Sequence, residues 1–184
     1  MNWKMPVASP HRIIAGAREH NLTSTLCGID VVSASAQPHR WLYAMAEGTV
    51  EYIHTAYDAR YRKQSDTYHS YGRFVVTRHD ADGVTIYVRL CNNDKIDAAL
   101  GDVLPAGGAL GIYGTTGNSD ISGAHVHIDM WIAESDIAAA ASMGLVQPPG
   151  RRVESPWPGA PLLCNVDPTD MLTAAGLGVI NRGA

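Results

Sequence analysis

The chain has 184 residues, 46% of them hydrophobic and 17% charged, with a net charge of −4. That length and apolar content suit one domain with a buried core and exclude a disordered polymer. The acidic balance and the lack of a basic stripe exclude nucleic acid as the expected partner, and no apolar run is long enough to span a membrane.

Residues 1–22 read as an irregular lead-in, interrupted by Pro6, Pro10, Arg12, Arg18 and Glu19, with no signal peptide. Leu26–Val32 follows as a short strand carrying Asp30. Ser33–His39 is a polar loop. Trp41–Ala46 reads as a strand, Glu47-Gly48 as a turn and Thr49–His54 as a further strand. Thr55–Tyr71 is a long polar stretch without a clean period. Loops of that length inside a domain tend to carry function. Tyr57, Tyr61, Arg62 and Tyr68 interleave along it, a composition common in contact surfaces, so they are candidate binding residues.

Arg73–His79 and Val84–Leu90 alternate as paired strands, joined by Asp80-Ala81-Asp82-Gly83 with its Asp-Gly turn signal. Asn92–Asp102 is polar with some helical character, and Ala109–Tyr113 is a short apolar strand. The glycine-bearing loop Gly114–Gly123 lacks the Lys-Ser/Thr of a phosphate loop. It leads into Gly123–Met130, where Val126, Ile128 and Met130 alternate with polar residues. His125 and His127 lie two apart on this strand, so their side chains share a face. Two imidazoles on one face suit metal ligation or acid–base chemistry. Ser135 reads as the cap of a helix over Ile137–Met143, with Gly144 as its stop. A proline-rich connection runs from Gln147 to Pro161, Asn165–Leu172 closes the domain, and 173–184 is a tail. Cys27, Cys91 and Cys164 are odd in number and widely spaced, which argues against a disulfide framework.

The order of the motifs resembles that of the lysostaphin-type (LytM-like) zinc metallopeptidases. Gly28-Ile29-Asp30 matches the end of that family's HxxxD motif. Glu47-Gly48-Thr49-Val50 resembles its DGTV hairpin, and Tyr71-Gly72, Val75-Val76 and His79 resemble the following strand. Tyr87-Val88-Arg89-Leu90 stands where the family has Tyr-Ala-His-Leu. Gly101-Asp102-Val103 through Gly117 follows its glycine-rich run, His125-Val126-His127 its HxH, and Val166-Asp167-Pro168 its closing segment.

The resemblance implies a mainly β fold, an antiparallel sheet forming a groove or sandwich, with short appended helices. It implies a domain over residues 23–172, carrying the long loop 55–71 and a helical, proline-rich insertion at 134–162. It also implies a zinc held by three residues. Two of those positions are retained, as Asp30 and His127, but the third falls on Leu26, which has no lone pair to give. His125 keeps a catalytic position, whereas Arg89 replaces a catalytic histidine and stays protonated at any working pH. No cofactor is therefore expected. Asp30 is expected to pair with Arg89, directly or through His125, where the metal would have sat.

The function this implies is that of a non-catalytic protein, a structural or peptidoglycan-contacting part of a bacteriophage tail tip or baseplate. Its expected partners are peptidoglycan or other tail proteins in an oligomeric assembly. Its expected location is the virion, or the cytoplasm if it is not phage-encoded. The alternatives are an active zinc endopeptidase cleaving peptidoglycan cross-links, with Cys27, His20, His54 or His79 completing the metal site, and a regulator of another wall hydrolase.

Overall fold

Alternation at period two dominates the chain, and the outcome is a sheet. The computed structural model describes residues 2–15, 28–34, 39–61, 68–118, 123–143, 152–174 and 177. Among them eleven strands join in one antiparallel sheet: β1 (His11–Ala15), β2 (Ile29–Ser33), β3 (Trp41–Tyr43), β4 (Gly48–His54), β5 (Arg73–Ala81), β6 (Val84–Ile96), β7 (Val103–Leu104), β8 (Ala109–Tyr113), β9 (Val126–Ile132), β10 (Arg152–Glu154) and β11 (Leu163–Val166). The main path runs β1-β2-β9-β6-β5-β4-β7. β3 and β8 pair beside β6, and β10 and β11 pair beside β9. Among the described residues two short α-helices are appended, α1 (Ile137–Ser142) and α2 (Pro168–Ala174). This is the antiparallel, mainly β architecture expected.

Successive strand residues face opposite ways, so β9 splits cleanly. Val126, Ile128, Met130 and Ile132 enter the larger core with Ile29, Val31, Val75, Ile86, Val88 and Leu90. Trp3, Met5 and Val7 close that core from the N-terminal segment. Each such fully buried side chain contributes roughly 1.5–3 kcal/mol. The opposite face carries His125, His127, Asp129 and Trp131. It builds a second, smaller core from Phe74, Val76, Cys91 and Trp131, covered by Trp157 and Leu163. The site therefore lies on the face with the smaller core.

The hairpin between β5 and β6 turns at Asp82 (φ 48°) and Gly83 (φ 84°). Both central residues are left-handed, as a tight hairpin matching strand twist requires.

Four local expectations need correction. The lead-in is not irregular throughout, because β1 pairs with β2 and Trp3, Met5 and Val7 are buried. Asn92–Ile96 is strand, not helix-like. Asn92 is left-handed (φ 66°), its amide donates to the Thr116 carbonyl, and the bent strand goes on to pair with β8. Trp41–Ala46 is strand only as far as Tyr43. Ser135 does not cap α1; it lies in a 3-10 turn over Glu134–Asp136, and its hydroxyl donates to the Asp136 carboxylate. Gly144 and the rest of residues 144–151 fall outside the described residues.

Candidate peptidase-type site on the sheet face

Three strands position the site. Asp30 on β2 stands opposite His127 on β9, which stands opposite Cys91 on β6. One row along, Arg89 on β6 stands opposite Asp129 on β9. Cross-strand partners share a face, so these five side chains and His125 point to the same side.

The His127 Nδ1–H donates to Asp30 Oδ1 at 2.9 Å, and His127 Nε2 lies 3.5 Å from Asp129 Oδ2. Burial disfavours the charged imidazole, but hydrogen bonds to Asp129 and Asp30 and their charges outweigh it and raise its pKa to about 9. His125 donates from Nδ1 to the Gly123 carbonyl at 2.9 Å, with Nε2 3.7 Å from Asp30 Oδ1. Gly28 is forced by this packing: a Cβ there would lie 2.5 Å from His127 Cε1.

Arg89 does not pair with Asp30. Its Nε donates to Asp129 Oδ1 at 3.0 Å and its Nη2 to Asp129 Oδ2 at 2.7 Å, while Nη1 donates to the Pro156 carbonyl at 2.6 Å. The strand register decides this. Asp129 is the cross-strand neighbour of Arg89, whereas Asp30 is one row along and one strand further away. Asp30 takes His127 instead. The guanidinium lies under the Tyr71 ring at 3.9 Å, with Phe74 at 5.4 Å and Trp131 at 5.6 Å. Side-chain exposure is 1% for Arg89 and 0% for Asp129. Burial pushes the Asp129 carboxyl up, but Arg89 and His127 overcome that and hold it at about 2. Burial works against the charge on Arg89 too, and Asp129 keeps it firmly protonated.

A catalytic zinc site takes three protein donors and an open position. Asp30 and His127 face each other, with His127 Nδ1 2.9 Å from Asp30 Oδ1, and a metal bound there would displace the proton between them. Among the described residues no group of three His, Cys, Asp or Glu is arranged to hold a metal. Leu26, Cys27 and His20 lie outside the described residues. His79 is on the opposite face, donating from Nδ1 to the Glu47 carbonyl and accepting at Nε2 from Thr77. His54 stacks on Phe74 at 4.8 Å. Neither joins the paired histidines, so among the described residues Asp30 and His127 are the ligand-type pair that the site presents.

The loop residues divide. Tyr57 lies beside Arg73, its hydroxyl 3.5 Å from the Gly117 carbonyl. Tyr61 is 41% exposed and close to His69 and Arg60. Tyr68 is partly buried and packs against Phe74 and His54 at the edge of the smaller core. Arg62 lies outside the described residues. Sequence reasoning missed Asp129, although HxHxD alternation places it on the histidine face. It also missed Tyr71, Pro156 and Trp157 as site residues, which arrive from distant segments without a local signal.

Residues 25–139, well over half of the chain, match the sequence profile of peptidase family M23. The chain belongs to this family. No curated protein matches it. Among solved structures, this M23 domain resembles a zinc-containing peptidase from Vibrio cholerae at 19% identity and TM-score 0.50, over 72% of this chain and 37% of that one. It resembles the SpoIIIAH–SpoIIQ complex at 19% identity and TM-score 0.50, over 70% and 91%. An M23 protein from Pseudomonas aeruginosa matches at 25% identity and TM-score 0.48, over 71% and 45%. The chain thus spans less than half the length of the Vibrio and Pseudomonas proteins. At these identities the likeness shows the M23 fold. No helix among the described residues is long and apolar enough to cross a membrane.

Proposed function

We propose that this M23 protein is non-hydrolytic, and that it uses the M23 face to contact peptidoglycan or neighbouring proteins in an assembly. One observation carries the reading. The position where the resembling enzymes have a catalytic histidine holds Arg89, a permanent cation sealed at 1% exposure. It cannot accept a proton. Its Nε and Nη2 donate to Asp129 and its Nη1 to the Pro156 carbonyl, and the Tyr71 ring covers it. Leu26 at the third ligand position adds to the argument, because two donors lose most of the affinity of a three-donor zinc site.

A bacteriophage tail tip or baseplate is the setting we favour. Its support is the pairing of a wall-peptidase fold with extra segments at 55–71 and 134–162, which is an argument by analogy of fold. Stoichiometric co-purification with tail proteins tests that setting. Metal content and wall-turbidity assays test the function. The expected result is substoichiometric zinc and no clearing of purified walls. One zinc per chain with clearing would instead establish an active endopeptidase with an altered ligand set.

A further inference from the structure

A cavity of about 630 Å³ lies outside the row of Asp30, His127, Asp129 and Arg89. The N-terminal segment, the start of β4, the end of β5 with its turn, and β7 bound it. A cavity of that size holds a small molecule.

Arg78 lines it from β5, with its side chain 41% exposed. The Glu51 and Asp80 carboxylates stand 3.6 and 3.9 Å from the guanidinium, outside hydrogen-bond range. Asp80 Oδ1 accepts from the Thr85 hydroxyl instead, at 2.8 Å. Arg78 Nε is covered and has no acceptor. A guanidinium presents its N–H groups as a planar fork that matches a carboxylate. Thr49, the cross-strand partner of Arg78, adds a hydroxyl to the same wall. From the N-terminal segment, Lys4 Nζ donates to the Ala106 carbonyl at 3.0 Å, which leaves its other ammonium hydrogens to the cavity.

Glu47, Asp80 and Asp82 bring exposed carboxylates to the same space. The two signs set opposing demands. A lone anion is repelled by the acids, and a lone cation by Lys4 and Arg78. A ligand bearing both charges meets both. Val103, 72% exposed, and Pro105 add an apolar wall.

We propose that this cavity binds a zwitterionic α-amino acid with a small apolar side chain. Its carboxylate meets Arg78 and Lys4, its ammonium lies among Glu47, Asp80 and Asp82, and its side chain rests on Val103 and Pro105. The cavity shares no residue with the histidine face, so metal and turbidity results bear on neither the cavity nor its ligand.

The test titrates the isotope-labelled full chain at low salt, where surface charges are least screened, and follows amide NMR resonances. The probes are valine, isovalerate and isobutylamine, which share one branched chain and carry both charges, the anion alone and the cation alone. Valine should shift the Thr49, Asp82 and Ala106 amides, saturating below about 10 mM, and leave those of His125 and His127 in place. Isovalerate and isobutylamine should each bind about tenfold or more weakly than valine, and Arg78→Gln should weaken valine by as much. No saturable shift at the three amides, equal binding of the three probes, or unchanged valine affinity in a folded Arg78→Gln chain would each overturn the assignment. If that variant does not fold, the comparison of probes on the wild type decides.

Discussion

Replacing Asp129 by asparagine tests the central electrostatic argument. Asp129, at 0% side-chain exposure, accepts from Arg89 Nε and Nη2 and from the Trp131 indole at 2.6 Å. Asp129→Asn keeps the shape but removes the charge that compensates the guanidinium, which is 1% exposed and otherwise meets the Pro156 carbonyl and three aromatic rings. Breaking one side of a buried ion pair costs roughly 3–5 kcal/mol. A domain of this size holds about 5–15 kcal/mol in total, so about a fifth or more of its stability is at stake. Urea unfolding at neutral pH, followed by circular dichroism, reads the change as a lower midpoint at unchanged slope. The double variant Arg89→Met with Asp129→Leu removes both charges and should recover most of the loss, because hydrophobic replacements of buried pairs are often neutral or stabilising. A single-variant cost below about 1 kcal/mol, or a double variant no better than the single, would refute the claim that these two groups sustain each other.

Three further outcomes are expected. Gly28→Ala puts a Cβ 2.5 Å from the His127 ring, so it should displace that imidazole, destabilise the fold by about 1–3 kcal/mol and shift the His127 ring resonances; unchanged resonances would contradict the packing described. Tyr71→Ala removes the ring 3.9 Å above the guanidinium and should cost about 3–5 kcal/mol in urea unfolding, against little for Tyr71→Phe, which keeps the ring. His79 is pushed below its ordinary pKa of 6.5 by burial, with its bond to the Glu47 carbonyl only partly offsetting this. Below about pH 6.5 the unfolded chain takes up a proton that the folded chain refuses, so stability falls with acid by up to about 1.4 kcal/mol per pH unit until the folded group titrates. His79→Gln should flatten that part of the stability–pH curve, and identical curves for the two proteins would show that His79 is not buried neutral.

The strand pattern was legible because it rests on local rules. Alternation in Val126–Met130 places His125 and His127 on one face, and Asp82-Gly83 supplies the left-handed turn between β5 and β6. Asn92–Ile96 misled because a polar strand that bends at one left-handed residue has no clean period of two. Ser135 misled because a hydroxyl that reads as a cap can bond its neighbour Asp136 instead.

The sequence by itself determined the family and the sheet, and it placed Asp30, His125, His127 and Arg89 on strands whose alternation is local, because period and residue identity are set along the chain. Only the tertiary structure decided which acid meets which base. Asp30 lies opposite His127 and Asp129 opposite Arg89, since strand register fixes partners that sequence distance leaves open. Burial then decided the rest, by bringing Tyr71 and the Pro156-Trp157 segment from far along the chain to close over the guanidinium.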